Sequence, residues 1–369
     1  MAGLGSRGLA ALAGLACALS LSLSACGTES EPEPVPETFY GVIPQAPLTA
    51  ASFERMKQAG VGTLRSFFPW SQLEPGPDEY NFAVSDLIVA GAASQRIEVL
   101  PYVLATPPWV AKLDGRDCGD DCGLLAPDSP ASRDAWRDFV AALVARYGPG
   151  GDFWRDHPEL PKVPIRAWQI WNEQNSPSFY APRPDVDSYA RLVDVASRAI
   201  READPEAEVV LGGMFGTPLG GKPPGITATD YLQRLYAIFG SDPPFDAVGV
   251  HPYAAHMTKV VEQVQGLRDV IDGSGDDARL WVTEMGWSSD DGREPLERGP
   301  DGQATALTDS YDYLLDHRAA LDLEGIFWYS WQDTADSGPC AWCQGSGLLT
   351  QSGSEKPALG AFTEFTGGS

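Results

Sequence analysis

The feature that most constrains this chain is an alternation. Short apolar runs of strand character recur at 39–43 (FYGVI), 62–67 (GTLRSF), 97–104 (IEVLPYVL), 165–172 (IRAWQIWN), 208–213 (EVVLGG), 246–251 (DAVGVH), 279–284 (RLWVTE) and 324–331 (EGIFWYSW). Between them, 49–59, 82–94, 131–147, 185–203, 228–239, 257–272 and 301–319, with a last stretch near 355–366, read as helices. Thr49, Asp185 and Ser129 followed by Pro130 are helix-start signals. Helical crossovers force neighbouring strands to run parallel, and eight such units predict one closed (β/α)8 barrel of the α/β class, a TIM barrel. An open doubly wound sheet would carry a Gly-rich phosphate turn after its first strand, and FYGVIPQAP has none. Segments 105–130 and 332–355 are then long loops after strands three and eight.

The barrel is expected to occupy 38–369. Arg7 precedes an apolar stretch of small residues too short to span a membrane with its own flanks, which reads as an export signal over 1–25. It closes on Leu23-Ser24-Ala25-Cys26, which resembles the lipobox of bacterial lipoproteins. That resemblance implies cleavage before Cys26, lipid attachment to it, and a surface location with membrane contact through the lipid alone. Residues 27–37 (GTESEPEPVPE) are too poor in apolar groups to offset the entropy of ordering and read, with Cys26, as a tether.

The formal net charge is −25, with 51 acidic against 26 basic residues, which argues against nucleic acid as a partner because binding it relies on Lys and Arg displacing counterions. Beyond Cys17 and Cys26, four cysteines remain: Cys118, Cys122, Cys340 and Cys343. An even number in an exported chain points to disulfides. Three pairings are open; the local pairs 118–122 and 340–343 are favoured by proximity in sequence, and bridges between the two loops come second. A four-thiolate zinc site is disfavoured by the compartment. DGRDCGDDCG is acidic but lacks EF-hand spacing, and the four histidines show no HExxH pattern, so no metal and no cofactor is expected.

In such a barrel the chemistry lies where the strands run out at their C-terminal ends. Reading those ends gives Arg65 on the second strand, Asn172 and Glu173 at the fourth, His251 and Tyr253 at the sixth, Glu284 at the seventh and Trp331 at the eighth. Each has an ordinary structural explanation alone; together they should converge on one cup. Two glutamates facing each other across a pocket are what glycoside cleavage requires, one to protonate the leaving oxygen and one to attack or stabilise the anomeric carbon.

These motifs resemble the clan A glycoside hydrolases, retaining (β/α)8 enzymes, with further similarity to families 39 and 5 in FFPWSQLEPGPDEYNF and VLATPPW. The third strand end, PYVLATPP, departs from the many family 5 members that carry a histidine there. The resemblance implies a monomeric, β-specific glycosidase in which Glu173 is the acid/base and Glu284 the nucleophile. Arg65 would then bond near the nucleophile, Asn172 hold a sugar hydroxyl, and His251 and Tyr253 form the strand-six pair. Trp331 would be the sugar platform, with Trp109, Trp287 and Trp342 as further aromatic faces. Endo action on a poly- or oligosaccharide is the expectation, with transglycosylation or non-catalytic sugar binding as the alternatives.

Overall fold

The computed structural model describes residues 34–216, 225–292, 294–335, 338 and 340–368. The expected export signal, Cys26 and most of the tether lie outside them. No described helix is long and apolar enough to cross a membrane.

Among the described residues the barrel strands are β1 (Tyr40–Ile43), β2 (Thr63–Pro69), β3 (Glu98–Leu104), β4 (Ala167–Ile170), β5 (Glu208–Leu211), β6 (Ala247–His251), β7 (Arg279–Met285) and β8 (Leu323–Tyr329). All pair in parallel. The ring closes through Gly41 opposite Phe327 on one side and Val210 opposite Ala247 on the other, where a two-residue extension, Met214–Phe215, also pairs with β6. Eight strands and the expected crossovers are therefore present, as the periodicity predicts.

Among the described residues eight helices wrap the ring: α1 (Ala50–Gln58), α2 (Ala83–Ser94), α3 (Pro130–Tyr147), α4 (Val186–Ala203), α5 (Ala228–Phe239), α6 (Met257–Gly273), α7 (Gly299–Asp316) and α8 (Pro357–Thr366). Their start signals work as capping chemistry requires. Thr49, Ser129 and Asp185 each accept a hydrogen bond from the backbone N–H three residues on, satisfying a donor the first turn leaves unpaired. α4 buries Tyr189, Leu192, Val193, Ala196 and Ile200 along one face, the spacing that lays a helix against a sheet. The expected helix 301–319 is interrupted: α7 stops at Asp316 and a short turn, Arg318–Leu321, follows.

Inside the ring, Ile43, Leu100, Val210, Ala247, Trp281 and Phe327 form a buried apolar cluster. Gly41 is needed there, since a Cβ on it would sit 2.3 Å from the Phe327 ring. The long loops are where they were expected, and each carries a local disulfide: Cys118–Cys122 after β3 and Cys340–Cys343 after β8.

Candidate active site

The run WQIWNEQN leaves sheet geometry earlier than its apolar pattern suggests. β4 ends at Ile170 because Trp171 and Glu173 both take left-handed backbone conformations, φ +73° and +44°. Such conformations cost non-glycine residues of order 1–3 kcal/mol and persist only where surroundings impose them. Here they do: Trp171 N–H donates to Val103 O (2.9 Å) and Glu173 N–H to Gly213 O (3.0 Å). Asn175 then stitches the turn to its neighbour, its amide donating to the carbonyls of Phe215 (2.6 Å) and Ile226 (2.8 Å) while its oxygen accepts from Phe215 N–H (3.0 Å). The polar tail of the motif is thus a clamp that aims Glu173 over the barrel mouth.

Arg65 has no exposed surface and serves three acceptors: Gln169 Oε1 (2.6 Å), Glu284 Oε1 (2.5 Å) and Asn172 Oδ1 (2.7 Å). Its guanidinium also lies 4.1 Å from the centre of the Tyr102 ring, a cation–π contact in a desolvated setting. The opposite oxygen of Glu284 accepts the Tyr253 hydroxyl (2.9 Å). Burial, with the Glu284 charge adding to it, holds the Tyr253 phenol above its ordinary range, so it stays a donor.

Glu173 and His251 meet through Glu173 Oε1 and His251 Nδ1 at 2.9 Å. Burial, and secondarily the Arg65 charge, push His251 well below its usual pKa, so this contact is a hydrogen bond to a neutral imidazole rather than an ion pair. Burial also raises Glu173 well above the usual carboxyl range; the Glu284 charge adds to the rise and Arg65 offsets part of it. Gly213 makes room for the histidine, since a Cβ there would fall 2.0 Å from His251 Nε2. One carboxyl oxygen from each glutamate and a ring nitrogen of His251 lie within 4.8 Å of one another. Among the described residues these are also the groups that could share a metal ion, at a place where Arg65 already supplies positive charge.

Arg65, Asn172, Glu173, His251, Tyr253 and Glu284 therefore converge. The tryptophans do not all follow. Trp331 is only 2% exposed, its backbone N–H bonded to Ile43 O, and Trp287 is equally buried, its indole N–H bonded to Ala254 O. Neither has a ring face open to a sugar: Trp331, the expected platform, and Trp287 are core residues. Trp109 is half-buried on the short helix Pro108–Leu113, its indole donating to Glu74 O (3.0 Å) and its ring edge-on to Trp70. β8 ends at Tyr329, two residues before Trp331, and this half-buried ring occupies the cup: the charges of Glu284 and Glu173 add to the burial that raises its phenol. Trp342 is there too, 5.0 Å from Tyr253 and 6.0 Å from Tyr329 between ring centres.

Gln169, Tyr102 and Tyr329 were not singled out by the strand-end reading. Gln169 holds Arg65 while its own amide donates to Leu211 O (3.1 Å) and Thr283 Oγ1 (3.3 Å). The signal for it was a polar residue in an otherwise apolar mid-strand position, flanked by Trp168 and Ile170.

Residues 45–113 match the glycoside hydrolase family 42 model, described as β-galactosidase. No curated protein matches the sequence significantly. Among solved structures, the chain is similar to a family 39 glycoside hydrolase from the gut symbiont Bacteroides cellulosilyticus WH2, at 21% identity and a TM-score of 0.64, covering 90% of this chain and 64% of that one. It is similar to the GH39 enzyme from Xanthomonas axonopodis pv. citri, at 20% identity and TM-score 0.65, covering 90% and 67%. It is also similar to xylanase 10B from Thermotoga maritima, at 16% identity and TM-score 0.60, covering 90% and 95%. The chain thus spans less than two thirds of the length of the Bacteroides enzyme. Its fold is the (β/α)8 barrel shared by these clan A glycoside hydrolases.

Proposed function

We propose that this chain is a retaining glycoside hydrolase acting by double displacement, with Glu284 as nucleophile and Glu173 as acid/base. The observation that carries this reading is the spacing: carboxyl oxygens of Glu173 and Glu284 lie within 4.8 Å. Retaining enzymes hold the two carboxyls about 5–5.5 Å apart, whereas inverting ones leave about 6.5–9.5 Å for a water.

Glu284, held by Arg65 and Tyr253, attacks the anomeric carbon as the bond to the leaving oxygen breaks. Glu173 gives its proton to that oxygen. In the second half, Glu173 takes a proton from water, the water oxygen bonds to the anomeric carbon, and the ester to Glu284 breaks. Asn172 must present its oxygen to Arg65, which leaves its NH2 as a donor for a sugar hydroxyl near the reacting carbon. A β linkage is supported by similarity to the β-galactosidase family model and to a solved exo-β-1,4-mannosidase from an Opitutaceae bacterium.

Mechanism-based 2-fluoro sugars of several configurations, followed by peptide mapping, test the assignment. Label on Glu284 is expected; label elsewhere, or none with any sugar that binds, overturns it. Chain lengths of early products distinguish endo from exo action. Export is supported by the two disulfides and lipidation of Cys26 by the Leu23-Ser24-Ala25-Cys26 sequence; radiolabelled palmitate should enter the wild type and not Cys26→Ser.

A further inference from the structure

The segment Cys340-Ala341-Trp342-Cys343 places an aromatic ring at the edge of the site and ties it there. Trp342 opens a short 3-10 turn, Trp342–Gly345, and is half-buried. Its ring meets Tyr253 at 64° and Tyr329 at 57°, so neither neighbour stacks flat on it. Tyr253 in turn donates to Glu284, which puts Trp342 one side chain away from the nucleophile.

The C-terminal side of this turn is firmly fixed. Cys343 is 5% exposed, and its carbonyl accepts from Gln45 Nε2 (3.2 Å) and Ser346 Oγ (2.8 Å). The Gly345 carbonyl accepts from Ser289 N–H (2.9 Å) and Lys356 Nζ (2.8 Å), and that of Ser346 from Ser330 N–H (3.1 Å) and the Trp328 indole (3.1 Å). The disulfide joins Cys340 to this fixed side across a sequence separation of 3. So short a bridge removes far less chain entropy than one closing a long loop. Its main effect is local: it sets the direction in which the ring between its cysteines points.

We propose that Trp342 is a specificity-determining residue that contacts the sugar chain beside the catalytic pair, and that the Cys340–Cys343 bridge is its positioning clamp. A pyranose ring offers an apolar face of axial C–H bonds, and a rigid indole at a wet rim is suited to bind it. This rests on the glycosidase reading. Wild-type turnover is therefore established first, and a chain that turns over no glycoside fails that reading rather than this one.

The test is a double-mutant cycle on an oligosaccharide substrate, with Trp342→Ala, the paired Cys340→Ala/Cys343→Ala, and the combination. Each of the first two should raise KM by roughly three- to tenfold, the scale of one aromatic contact, with kcat changed less than about twofold. The combination should raise KM no further than Trp342→Ala alone, because the clamp acts through the ring. Cys118→Ala/Cys122→Ala is the control and should leave KM unaltered. As a measurement that requires no refolding, the control protein is treated in its folded state with a phosphine reductant, which should raise its KM by the same factor, and Trp342→Phe should restore part of the affinity lost in Trp342→Ala. An unchanged KM in Trp342→Ala overturns the contact. A KM that rises on bridge removal equally with and without Trp342 overturns the clamp.

Discussion

His251 sets its Nδ1 atom 2.9 Å from Glu173 Oε1, with the imidazole fully buried and the glutamate side chain only 11% exposed. A neutral histidine on that side contributes no positive charge to draw off the carboxyl proton, while burial and the Glu284 charge raise its affinity. Glu173 should therefore be protonated when substrate arrives near neutral pH. Its loss of that proton should set the alkaline limb of kcat/KM, and Glu173→Gln should abolish that limb. Glu173→Ala should lower turnover by at least ~10²-fold on glycosides with poor leaving groups and much less on activated aryl glycosides. Steady-state rates on a matched pair of substrates across pH check this; equal losses on both would remove Glu173 from the acid role.

Arg65 is the second point of leverage. One buried cation holds Glu284, Asn172 and Gln169, and the three bonds require the planar fork of a guanidinium. Arg65→Lys keeps the charge but cannot reach three acceptors at once. Each lost charge-assisted bond is worth about 1.5–3 kcal/mol, so kcat/KM should fall about 10- to 100-fold. The fall should lie mainly in kcat, because the acceptors include Glu284, the proposed nucleophile. Kinetics of the lysine variant, with a thermal melt to show that it folds, are the check; a pure KM effect would assign Arg65 to ground-state binding only.

The barrel was legible because the eight-fold alternation is a property of burial, and burial is written directly into the apolar pattern. The polar site was legible as well, because a charge placed among apolar neighbours, such as Arg65 or Glu173, has few reasons to be there. The aromatic platforms were not. Trp331 and Trp287 look like rim residues in the sequence, yet indoles are just as suited to filling the space between strand ends and the surrounding helices, and here they do so. Which of Tyr329 and Trp331 faces the cup depends on the residue at which β8 stops pairing, and apolar composition does not encode that stop.

At the other end of the barrel, Glu208 offers a stability test independent of catalysis. It pairs with Arg279 (3.0 Å) and accepts from the Trp281 indole (3.1 Å), and its side chain is 15% exposed. Burial is the largest influence and raises its pKa from 4.5 to about 7, with Arg279 opposing. A carboxyl that holds its proton more tightly when folded favours the folded state at acid pH. That advantage is lost as pH rises from the unfolded value near 4.5 to the folded value near 7, by roughly 3 kcal/mol in all. The Tm of wild type minus that of Glu208→Gln should therefore fall across this window and level off above it. A difference that stays constant with pH would show that Glu208 does not change its proton affinity on folding.

The loop after β8 depends on a buried ion pair. Lys356 Nζ lies 2.6 Å from Asp333 Oδ1, with side chains 5% and 16% exposed. Burial lowers the lysine pKa and raises that of the aspartate, so desolvation outweighs mutual attraction for both partners. The pair as a whole then contributes little net stability, but breaking it should cost about 3–5 kcal/mol because one charge is left buried alone. Lys356→Met should show that loss in a chemical melt, and Lys356→Met combined with Asp333→Asn should recover most of it. Lys356 also holds the Gly345 carbonyl, two residues beyond Cys343. The single variant should therefore raise KM even where it remains folded, and the double variant, lacking that same bond, should regain stability while keeping the weakened KM. Recovery of both together would mean that the ammonium supports the fold and has no separate hold on the loop that carries Trp342.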